Sequence, residues 1–452
     1  MEKPNSQQVP PRIIIHGGAG AIDRTNLPPA LYTAHRTALL SILHTTSQLL
    51  PTHSALDIAT HAVSLLENNA LFNAGHGAVY TSHGTHELEA SVMVSRGFVK
   101  RGVGVMGLSR VRNPILLARE MLLRGELEAG GGARGHVQLC GAEAERLASA
   151  WGLGMCRPSY LWTKKRWDQH RRGLGLGTGR DEYERGRRAV DGVDQVEHRD
   201  GFAGDDEDEN GAGFGYDGLD DFSDWDGVEY VPQGTVGCVV LDKDGVLCVA
   251  TSTGGITNKL PGRIGDTPTL GAGFWAEEWT AENPFDRPHG LVRQPELPRG
   301  SPLMRLLNGD FAAVVRDCLP GVASYLPLTQ DEKDDGRRAL SHPHGVAMSG
   351  TGNGDSFLRL SAVRTAAAMT RFSFPPLSLQ WSVSRMAGPD GMLQQSAGDR
   401  WHKTGEGEGG IIGIEFALGQ GRIVADFNCG GMFRTWIDDD GKPRMMVFRD
   451  EY

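Results

Sequence analysis

The sequence predicts a protein of mixed helix and strand, formed by one folded body that two irregular segments interrupt. Residues 13–15 are three isoleucines, which is typical of a short buried strand. Apolar residues recur at helical spacing over 31–50 and again over 55–67. Within 236–249, two apolar runs flank the turn sequence Asp-Lys-Asp-Gly at 242–245, so a β-hairpin is predicted there. Together these signals predict the α+β class.

The other elements follow in order along the chain, without an internal repeat. Glycines break residues 71–79 into a loop, and residues 87–94 alternate like a strand. Helical spacing returns at 113–123 and 142–150. Signals for both strands and helices resume at 347 and continue to 448.

The two irregular segments differ in composition from this body. The first covers about 157–232, and it is rich in Lys, Arg and Gly over 164–190 and acidic over 205–226. Few aliphatic residues occur in it, so a solvated or disordered connector is predicted. The second, at about 281–345, has several prolines and mixed charge, with a possible helix signal within 304–322.

Charge argues against nucleic acid as a partner. The formal net charge is -10, but residues 205–226 hold ten carboxylates and no Lys or Arg. Without them the chain has 46 acidic residues against 46 Lys and Arg. A near-neutral body lacks the basic surface that nucleic-acid binding needs.

Cysteine usage and hydropathy predict a cytoplasmic protein. The six cysteines have no CxxC spacing, which favours reduced thiols over a disulfide framework or a zinc site. The polar residues 1–12 do not resemble a signal peptide, and no stretch approaches the length of a membrane span. We therefore expect neither secretion nor a membrane partner.

The junction between Gly234 and Thr235 is the most informative point in the chain. It lies where the acidic segment ends and the apolar hairpin begins. A threonine before a valine-rich run is usually an ordinary strand residue. If the Gly234–Thr235 bond were cut, however, Thr235 would carry both a hydroxyl nucleophile and a free α-amine. An N-terminal amine is one of the bases that can activate a threonine nucleophile.

Glycine-rich strings offer further site candidates, each with an ordinary alternative. None has the spacing of a dinucleotide-binding turn or of a P-loop, so phosphate binding is rejected. Within 251–266 a cluster of hydroxyls precedes Arg263 and Asp266, which suits recognition of a zwitterion, although such a pair is more often a loop salt bridge. Residues 349–355 suit an oxyanion hole or simply form a turn.

In combination these strings resemble one family. GTVG at 234–237, TSTGG-x-TNK-x-PGR-x-GD at 251–266 and GTGNGD at 350–355 occur in the order found in the plant-type L-asparaginases, also called isoaspartyl peptidase/L-asparaginases. IIIHGGAG at 13–20 and ELEASVM at 87–93 resemble the N-terminal signatures of the same family. The two irregular segments lie outside the resemblance.

The resemblance implies a four-layer αββα sandwich of the N-terminal-nucleophile hydrolases. It implies a precursor that cleaves itself between Gly234 and Thr235, giving an α-subunit (1–234) and a β-subunit (235–452) that form a single domain. It also implies hydrolysis of the β-amide of L-asparagine or of β-aspartyl peptides, and a homodimer of αβ units. The expected partner is accordingly a small-molecule or short-peptide β-aspartyl substrate.

The catalytic roles that the resemblance implies belong to five positions. Thr235 is the nucleophile and its α-amine the base, while Thr253 matches the second active-site threonine. Asn73 matches an asparagine close to the nucleophile. Thr351 and Gly352 match the oxyanion-hole pair.

Three further positions match residues that bind the substrate. Arg263 and Asp266 correspond to the residues that hold the α-carboxylate and the α-amine. Gly354 corresponds to a backbone contact with the amine.

A structural sodium ion is the one metal that the resemblance suggests, and no cofactor is expected in the chemistry. In the family a loop equivalent to residues 66–76 binds sodium through backbone carbonyls, although residues 68–70 depart from the usual loop sequence. The matching carbonyls belong to Leu66, Glu67, Asn69, Phe72, Ala74 and His76.

Three other functions stay open at this point. A threonine-aspartase endopeptidase also has a long segment before its threonine, but it lacks an aspartate at the position of Asp266. A glycosylasparaginase shares the GTGNGD string but lacks the HGGAG start. The third alternative is a precursor that never cleaves and serves as an interaction protein.

Overall fold

Twelve strands and ten α-helices occur in the part of the chain that the computed structural model describes, which is 9–98, 101–197, 234–280 and 343–450. The strands are β1 (Arg12–Gly20), β2 (Leu88–Val94), β3 (Gly102–Leu108), β4 (Gln138–Cys140), β5 (Val236–Leu241), β6 (Leu247–Thr253), β7 (Phe274–Trp279), β8 (His344–Gly352), β9 (Gly409–Ala417), β10 (Gln420–Phe427), β11 (Gly431–Ile437) and β12 (Pro443–Met446). The helices are α1 (Pro29–Ser47), α2 (Ala55–Glu67), α3 (Pro114–Leu123), α4 (Gly141–Ala150), α5 (Lys164–Gly173), α6 (Arg180–Glu197), α7 (Gly354–Leu360), α8 (Ala362–Phe372), α9 (Leu379–Ala387) and α10 (Met392–Ala397).

The strands form two sheets. One has eight strands in the order β12-β11-β1-β5-β6-β2-β3-β4, and the other has four in the order β10-β9-β8-β7. All neighbouring pairs are antiparallel except β3 and β4, which are parallel. Largely antiparallel sheets with separate helices confirm the predicted α+β class.

Alternation along the strands determines which layer each residue joins. Ile13 and Ile15 pack in the apolar cluster that includes helices α1–α3, whereas Ile14 packs in the cluster between the two sheets. In the small sheet, Ala347 faces the large sheet while Met348 packs with helices α7–α10. Successive strand side chains point to opposite faces, so each sheet has helices on one side and the other sheet on its second side.

The helix predicted at 55–67 is confirmed, and its first turn shows how short-range hydrogen bonds determine where a helix begins. The hydroxyl of Ser54 accepts the backbone N–H of Asp57 at 3.2 Å and donates to the Asp57 carboxylate at 2.7 Å. This reciprocal arrangement satisfies an N–H group that the helix itself cannot pair. The helix then packs on β5 and β6, the two strands of the predicted hairpin.

The predicted connector is wrong over 164–190, where the chain forms α5 and the first part of α6. These helices are held by an aromatic cluster of Tyr80, Trp162, Trp167 and Tyr183, whose side chains are buried. Aliphatic residues are scarce in this segment, but large aromatic rings bury enough apolar area to replace them. The acidic run 205–226 lies outside the described residues, as does the second irregular segment up to residue 342.

Three strands were not predicted. β3 has the sequence GVGVMGL, and its glycines weaken the strand signal. β4 has only three residues, and β7 has two glutamates, of which Glu277 is buried and Glu278 is half-buried. None of the described helices is long and apolar enough to cross a membrane.

Arg166 anchors α5 to the loop that follows α2. Its guanidinium is buried, and Nε donates to the carbonyl of Gly77 at 2.8 Å while Nη1 donates to the Gln169 side chain at 3.0 Å. A charged group that lies in the interior is tolerated when its donors are paired in this way.

We expect Arg166→Met to lower the melting temperature, because methionine preserves much of the side-chain volume but removes the donor to the buried Gly77 carbonyl. The expected loss of unfolding free energy is about 1–3 kcal/mol, the usual range for a buried polar group left unpaired. Thermal denaturation followed by circular dichroism measures it. The control is Arg185→Met, because the Arg185 side chain is 74% exposed. Equal melting temperatures for the two variants would contradict the anchoring role.

Candidate active site

Thr235 lies immediately before β5, which begins at Val236. Val236 pairs with Ser252 of the antiparallel neighbour β6. The same register continued by one residue places Thr235 opposite Thr253, on the face of the large sheet that is turned toward the small sheet. Both threonine side chains are buried. The structure therefore brings together two residues that are 18 positions apart in sequence.

Thr235 contacts the hydroxyl of a residue that the sequence did not single out. Thr235 Oγ1 lies 2.9 Å from Thr267 Oγ1, within hydrogen-bonding distance, and Thr267 is fully buried. Thr267 directly follows Asp266. This position next to a predicted substrate-binding residue is the one feature of the sequence that could have identified Thr267 as part of the site. The contact comes from a loop beyond the hairpin, which strand periodicity does not locate.

Thr253 and Asn73 hold the same backbone segment. Thr253 Oγ1 accepts the N–H of Gly255 at 3.0 Å, and Asn73 Nδ2 donates to the carbonyl of Gly255 at 2.8 Å. Asn73 Oδ1 also accepts the N–H of Val79 at 3.0 Å. Together these bonds determine the path of the chain as it leaves β6, just after Thr253.

Gly234 occupies a gap between the two sheets. A Cβ placed on it would lie 2.5 Å from the Cα of Gly18 in β1 and 2.5 Å from Thr351 Oγ1 in β8. Thr351 Oγ1 also accepts the N–H of Ala19 at 3.2 Å. Any side chain at position 234 would collide with these atoms, so the close approach requires glycine. The predicted oxyanion residue Thr351 thus lies directly beside the residue that precedes Thr235.

His16 links the two sheets near this point. Its Nε2 lies 2.7 Å from Ser349 Oγ in β8. Burial lowers the pKa of His16 to about 3, and a hydrogen bond with the backbone of Thr235 opposes this only partly. His16 is therefore neutral and acts as a structural hydrogen-bonding group.

The three predicted substrate-binding residues also lie together. A Cβ placed on Gly354 would lie 2.5 Å from Asp266 Oδ1 and 3.0 Å from Arg263 Nη2. The same Nη2 forms an ion pair of 3.0 Å with Asp355, the residue after Gly354. A carboxylate and a guanidinium on one small patch of backbone form a site for a zwitterion.

Asp266 is buried, and the structure gives its Oδ2 no hydrogen-bond partner among the described residues. Burial, and then the nearby charge of Glu89, raise the pKa of Asp266 to about 7, although Arg263 acts in the opposite direction. A buried carboxylate without a full set of partners is a common feature of binding sites.

The hydroxyls of Thr235 and Thr267 form one group, and the charged side chains around Gly354 form a second group. Consecutive residues join the two groups. Asp266 belongs to the second and Thr267 to the first, and neighbouring Cα atoms are about 3.8 Å apart. Gly352 follows Thr351 with φ +142°, a conformation that favours glycine, and leads through Asn353 to Gly354. The predicted nucleophile and the predicted substrate-binding residues therefore lie on connected, short pieces of backbone.

The carbonyls named for sodium belong to a tight loop after α2. Among them, those of Leu66, Asn69 and Ala74 each accept a backbone N–H within the loop, at 3.1 to 3.2 Å. A Cβ on Gly75 would collide with the Glu67 carbonyl, and one on Gly77 with that of Phe72, so both oxygens turn inward. Three of the six carbonyls are therefore already hydrogen-bonded to backbone N–H groups, and those of Glu67 and Phe72 lie close against the glycines of the loop. Among the described residues, no group of His, Cys, Asp or Glu could hold a metal.

The chain is similar to known proteins over nearly its whole length. Residues 9–282 match the family model described as asparaginase. The isoaspartyl peptidase of Escherichia coli K12 is 30% identical over 440 residues, which cover 97% of this chain and 96% of that relative. The plant-type L-asparaginase of Pyrococcus furiosus is 32% identical over 266 residues, which cover 59% of this chain and 70% of that relative.

We expect Asp266→Asn to raise the stability of the protein in a pH-dependent manner. The folded pKa of Asp266 lies above the usual value of 3.8, so ionising it costs stability as the pH rises toward about 7. Asparagine does not ionise, so the stability of the variant relative to the wild type should grow as the pH rises toward about 7. Melting temperatures at low pH and above neutrality test this, with the exposed Asp399→Asn as the control. A gain that is the same at both pH values would contradict it.

Proposed function

Because the chain belongs to the asparaginase family, we propose that it hydrolyses the β-amide of L-asparagine or of β-aspartyl peptides and releases L-aspartate. The observation that carries the proposal is the joining of a buried Thr235 to a site for a zwitterion through Asp266 and Thr267. A substrate with an α-amine, an α-carboxylate and a β-amide has its charged groups and its reacting carbonyl within a few bonds of each other.

We propose that the intact chain first cleaves itself. The Thr235 hydroxyl attacks the carbonyl carbon of Gly234, the C–N bond breaks, and the acyl group moves from nitrogen to oxygen. The nitrogen takes up a proton and becomes the α-amine of Thr235. Water then hydrolyses the ester and leaves a carboxylate on Gly234. The hydroxyl of Thr267 at 2.9 Å supports this step because it can relay the proton that Thr235 loses.

In the cleaved enzyme the α-amine of Thr235 takes the role of base. An α-amine has a pKa of about 7.7–8.0, so a substantial share is neutral near physiological pH. The hydroxyl attacks the β-amide, and ammonia or an amine leaves after taking up a proton. The β-aspartyl ester on Thr235 is then hydrolysed by water, which releases aspartate and restores the enzyme. Thr253, opposite Thr235 in the register, would orient the hydroxyl.

The remaining residues would bind the substrate and stabilise the transition state. We assign the α-carboxylate to Arg263 and the α-amine to Asp266 and Gly354. Thr351 and Gly352 would stabilise the developing oxyanion, which is consistent with the position of Thr351 Oγ1 beside Gly234. Asn73 would act through the Gly255 backbone that it shares with Thr253.

We also infer the larger assembly from the family. The helix and sheet layers would form the αββα sandwich of the N-terminal-nucleophile hydrolases, built from an α-subunit (1–234) and a β-subunit (235–452). Two such αβ units would pair as a homodimer. The loop at 66–76 would hold a structural sodium ion, which its backbone carbonyl oxygens would coordinate. We also propose a cytoplasmic location, for which the cysteine spacing in the sequence argues.

Self-cleavage gives the first test. The wild-type protein should yield two bands of similar size on a denaturing gel. Thr235→Ala should yield one full-length band and no amidase activity, because alanine lacks the attacking oxygen. Thr235→Ser, which retains a hydroxyl, is the matched control and should still cleave. If the alanine variant splits at 234/235, the nucleophile is another residue.

Thr267→Val should slow both self-cleavage and turnover while the fold is retained, since valine has nearly the shape of threonine. Loss of a group that assists proton transfer costs about 10²-fold in rate or more. Cleavage is followed by gel and kcat by ammonia release. Thr365→Val removes a half-buried hydroxyl on α8 and serves as the control. A rate of self-cleavage equal to that of the wild type would exclude the relay by Thr267.

A substrate panel decides among the β-amides. Asparagine, β-aspartyl-leucine and a glycosylated asparagine should be compared by kcat/KM on the cleaved enzyme. Preference for either of the first two supports the proposal. Cleavage of the glycosylated compound alone would indicate a glycosylasparaginase, and cleavage of internal peptide bonds a threonine-aspartase-like endopeptidase.

A further inference from the structure

Glu89 is a buried carboxylate beside the substrate-binding residues, and the roles assigned so far leave it unused. It lies in β2 opposite Thr253, and its side chain is 1% exposed. Its Oε1 accepts the N–H of Gly265 at 3.0 Å. Gly265 directly precedes Asp266, so this bond holds the turn that carries both Asp266 and Thr267.

The second oxygen of Glu89 is available to a ligand. Oε2 is buried and has no hydrogen-bond partner among the described residues, and Oδ2 of Asp266 is in the same condition. A Cβ placed on Gly265 would lie 3.0 Å from Glu89 Oε2 and 2.9 Å from Arg263 Nη1. The unpaired oxygen is therefore on the Arg263 side of the turn, where the substrate's charged groups would bind.

Two cations accompany the two carboxylates. Lys259 Nζ lies 3.8 Å from Glu89 Oε1 and donates to the carbonyl of Glu87 at 2.7 Å. Arg263 is held by Asp355 from α7. Lys259 is thus engaged on the Oε1 side, while Oε2 and Asp266 Oδ2 still lack the donors that buried carboxylate oxygens need. A substrate ammonium carries three such donors.

We propose that Glu89 is a positioning residue for recognition of the substrate's α-ammonium: it holds the Gly265–Asp266 turn and places a second negative charge beside Asp266. This inference rests on the proposed function, in which Asp266 binds that ammonium. Two carboxylates attract an ammonium more strongly than one, and they disfavour substrates that lack the charge.

The same charge also affects the ionisation of Asp266. Burial is the larger cause of the raised pKa of Asp266, and the charge of Glu89 comes next. The other charged groups that act on Asp266 are Arg263, which lowers its pKa, and Asp355, which raises it. Removing the charge of Glu89 should therefore lower the pKa of Asp266, and the carboxylate would ionise at a lower pH.

The test is Glu89→Gln, measured with asparagine and with succinamic acid, which has the same amide and carboxylate but no α-amine. Glutamine retains an acceptor for the Gly265 N–H and removes the charge. For asparagine kcat/KM should fall by about 10-fold or more, mainly through KM, as for loss of a charged hydrogen-bonding partner. For succinamic acid it should change by no more than about 2-fold, because no ammonium is bound.

The pH dependence gives a second readout. The ratio of kcat/KM for the two substrates cancels the ionisation of the Thr235 amine, which both reactions share. In the wild type the ratio should fall as the pH drops through about 7, where Asp266 takes up its proton. In Glu89→Gln the midpoint of that fall should move to lower pH. An unshifted midpoint, or an equal loss for both substrates, would overturn the proposal.

Two control variants distinguish the loss of the Glu89 charge from other causes of reduced activity. Glu87→Gln changes the same residue type two positions away, where the carboxylate pairs with the N–H of Gly262, and it should retain the wild-type preference for asparagine. If Glu89→Gln does not fold, Glu89→Gln with Lys259→Met removes both partners of the buried ion pair and should show the same substrate split. A wild-type enzyme that cleaves itself but hydrolyses neither substrate would contradict the proposed function, whereas equal losses in the variant contradict this inference alone.

Discussion

The close approach of the two sheets at Gly234 is the constraint on which the site depends. The backbone at this residue lies between Gly18 of β1 and Thr351 of β8, and no side chain would fit there. Because the fit leaves little freedom, Gly234 is held between Gly18 and Thr351 while β5 continues into the large sheet. The hydrogen bond between Ala19 and Thr351 and that between His16 and Ser349 hold the sheets together on either side.

The site also concentrates buried charge, which costs stability. Glu89 and Asp266 both have oxygens without partners among the described residues, and burial raises the pKa of each carboxyl. A protein that needed only a stable fold would have neutral side chains at these positions. Glu89 is compatible with the fold because the N–H of Gly265 and the ammonium of Lys259 interact with its Oε1, and the positive charge of Arg263 acts on Asp266. A zwitterionic substrate can donate hydrogen bonds to the carboxylate oxygens that still lack a partner.

Helix α5 shows how a segment rich in Lys and Arg can still be part of the core. Its buried face consists of Trp167, Arg166 and His170, not of aliphatic residues. Arg166 holds the carbonyl of Gly77, and His170 Nδ1 lies 2.6 Å from the Asn258 side chain in the loop after β6. The helix therefore contacts both loops that surround Asn73 and Gly255. Patterns of aliphatic residues do not reveal this kind of packing, because the rings and the guanidinium contribute the buried area.

The sequence by itself determined the elements whose causes are local. The β5–β6 hairpin, the capped start of α2 and the strand at 13–15 follow from periodicity, turn residues and side-chain caps, all of which act over a few positions. The change of composition at Gly234 and the motifs around it also pointed to Thr235, Arg263 and Asp266 before any distance was known. Only the tertiary structure decided that Thr267 is in contact with Thr235 and that Glu89 lies beside Asp266. These contacts join segments that are far apart in the chain, and they depend on strand register and on how the sheets stack, which the spacing of residues along a sequence does not encode.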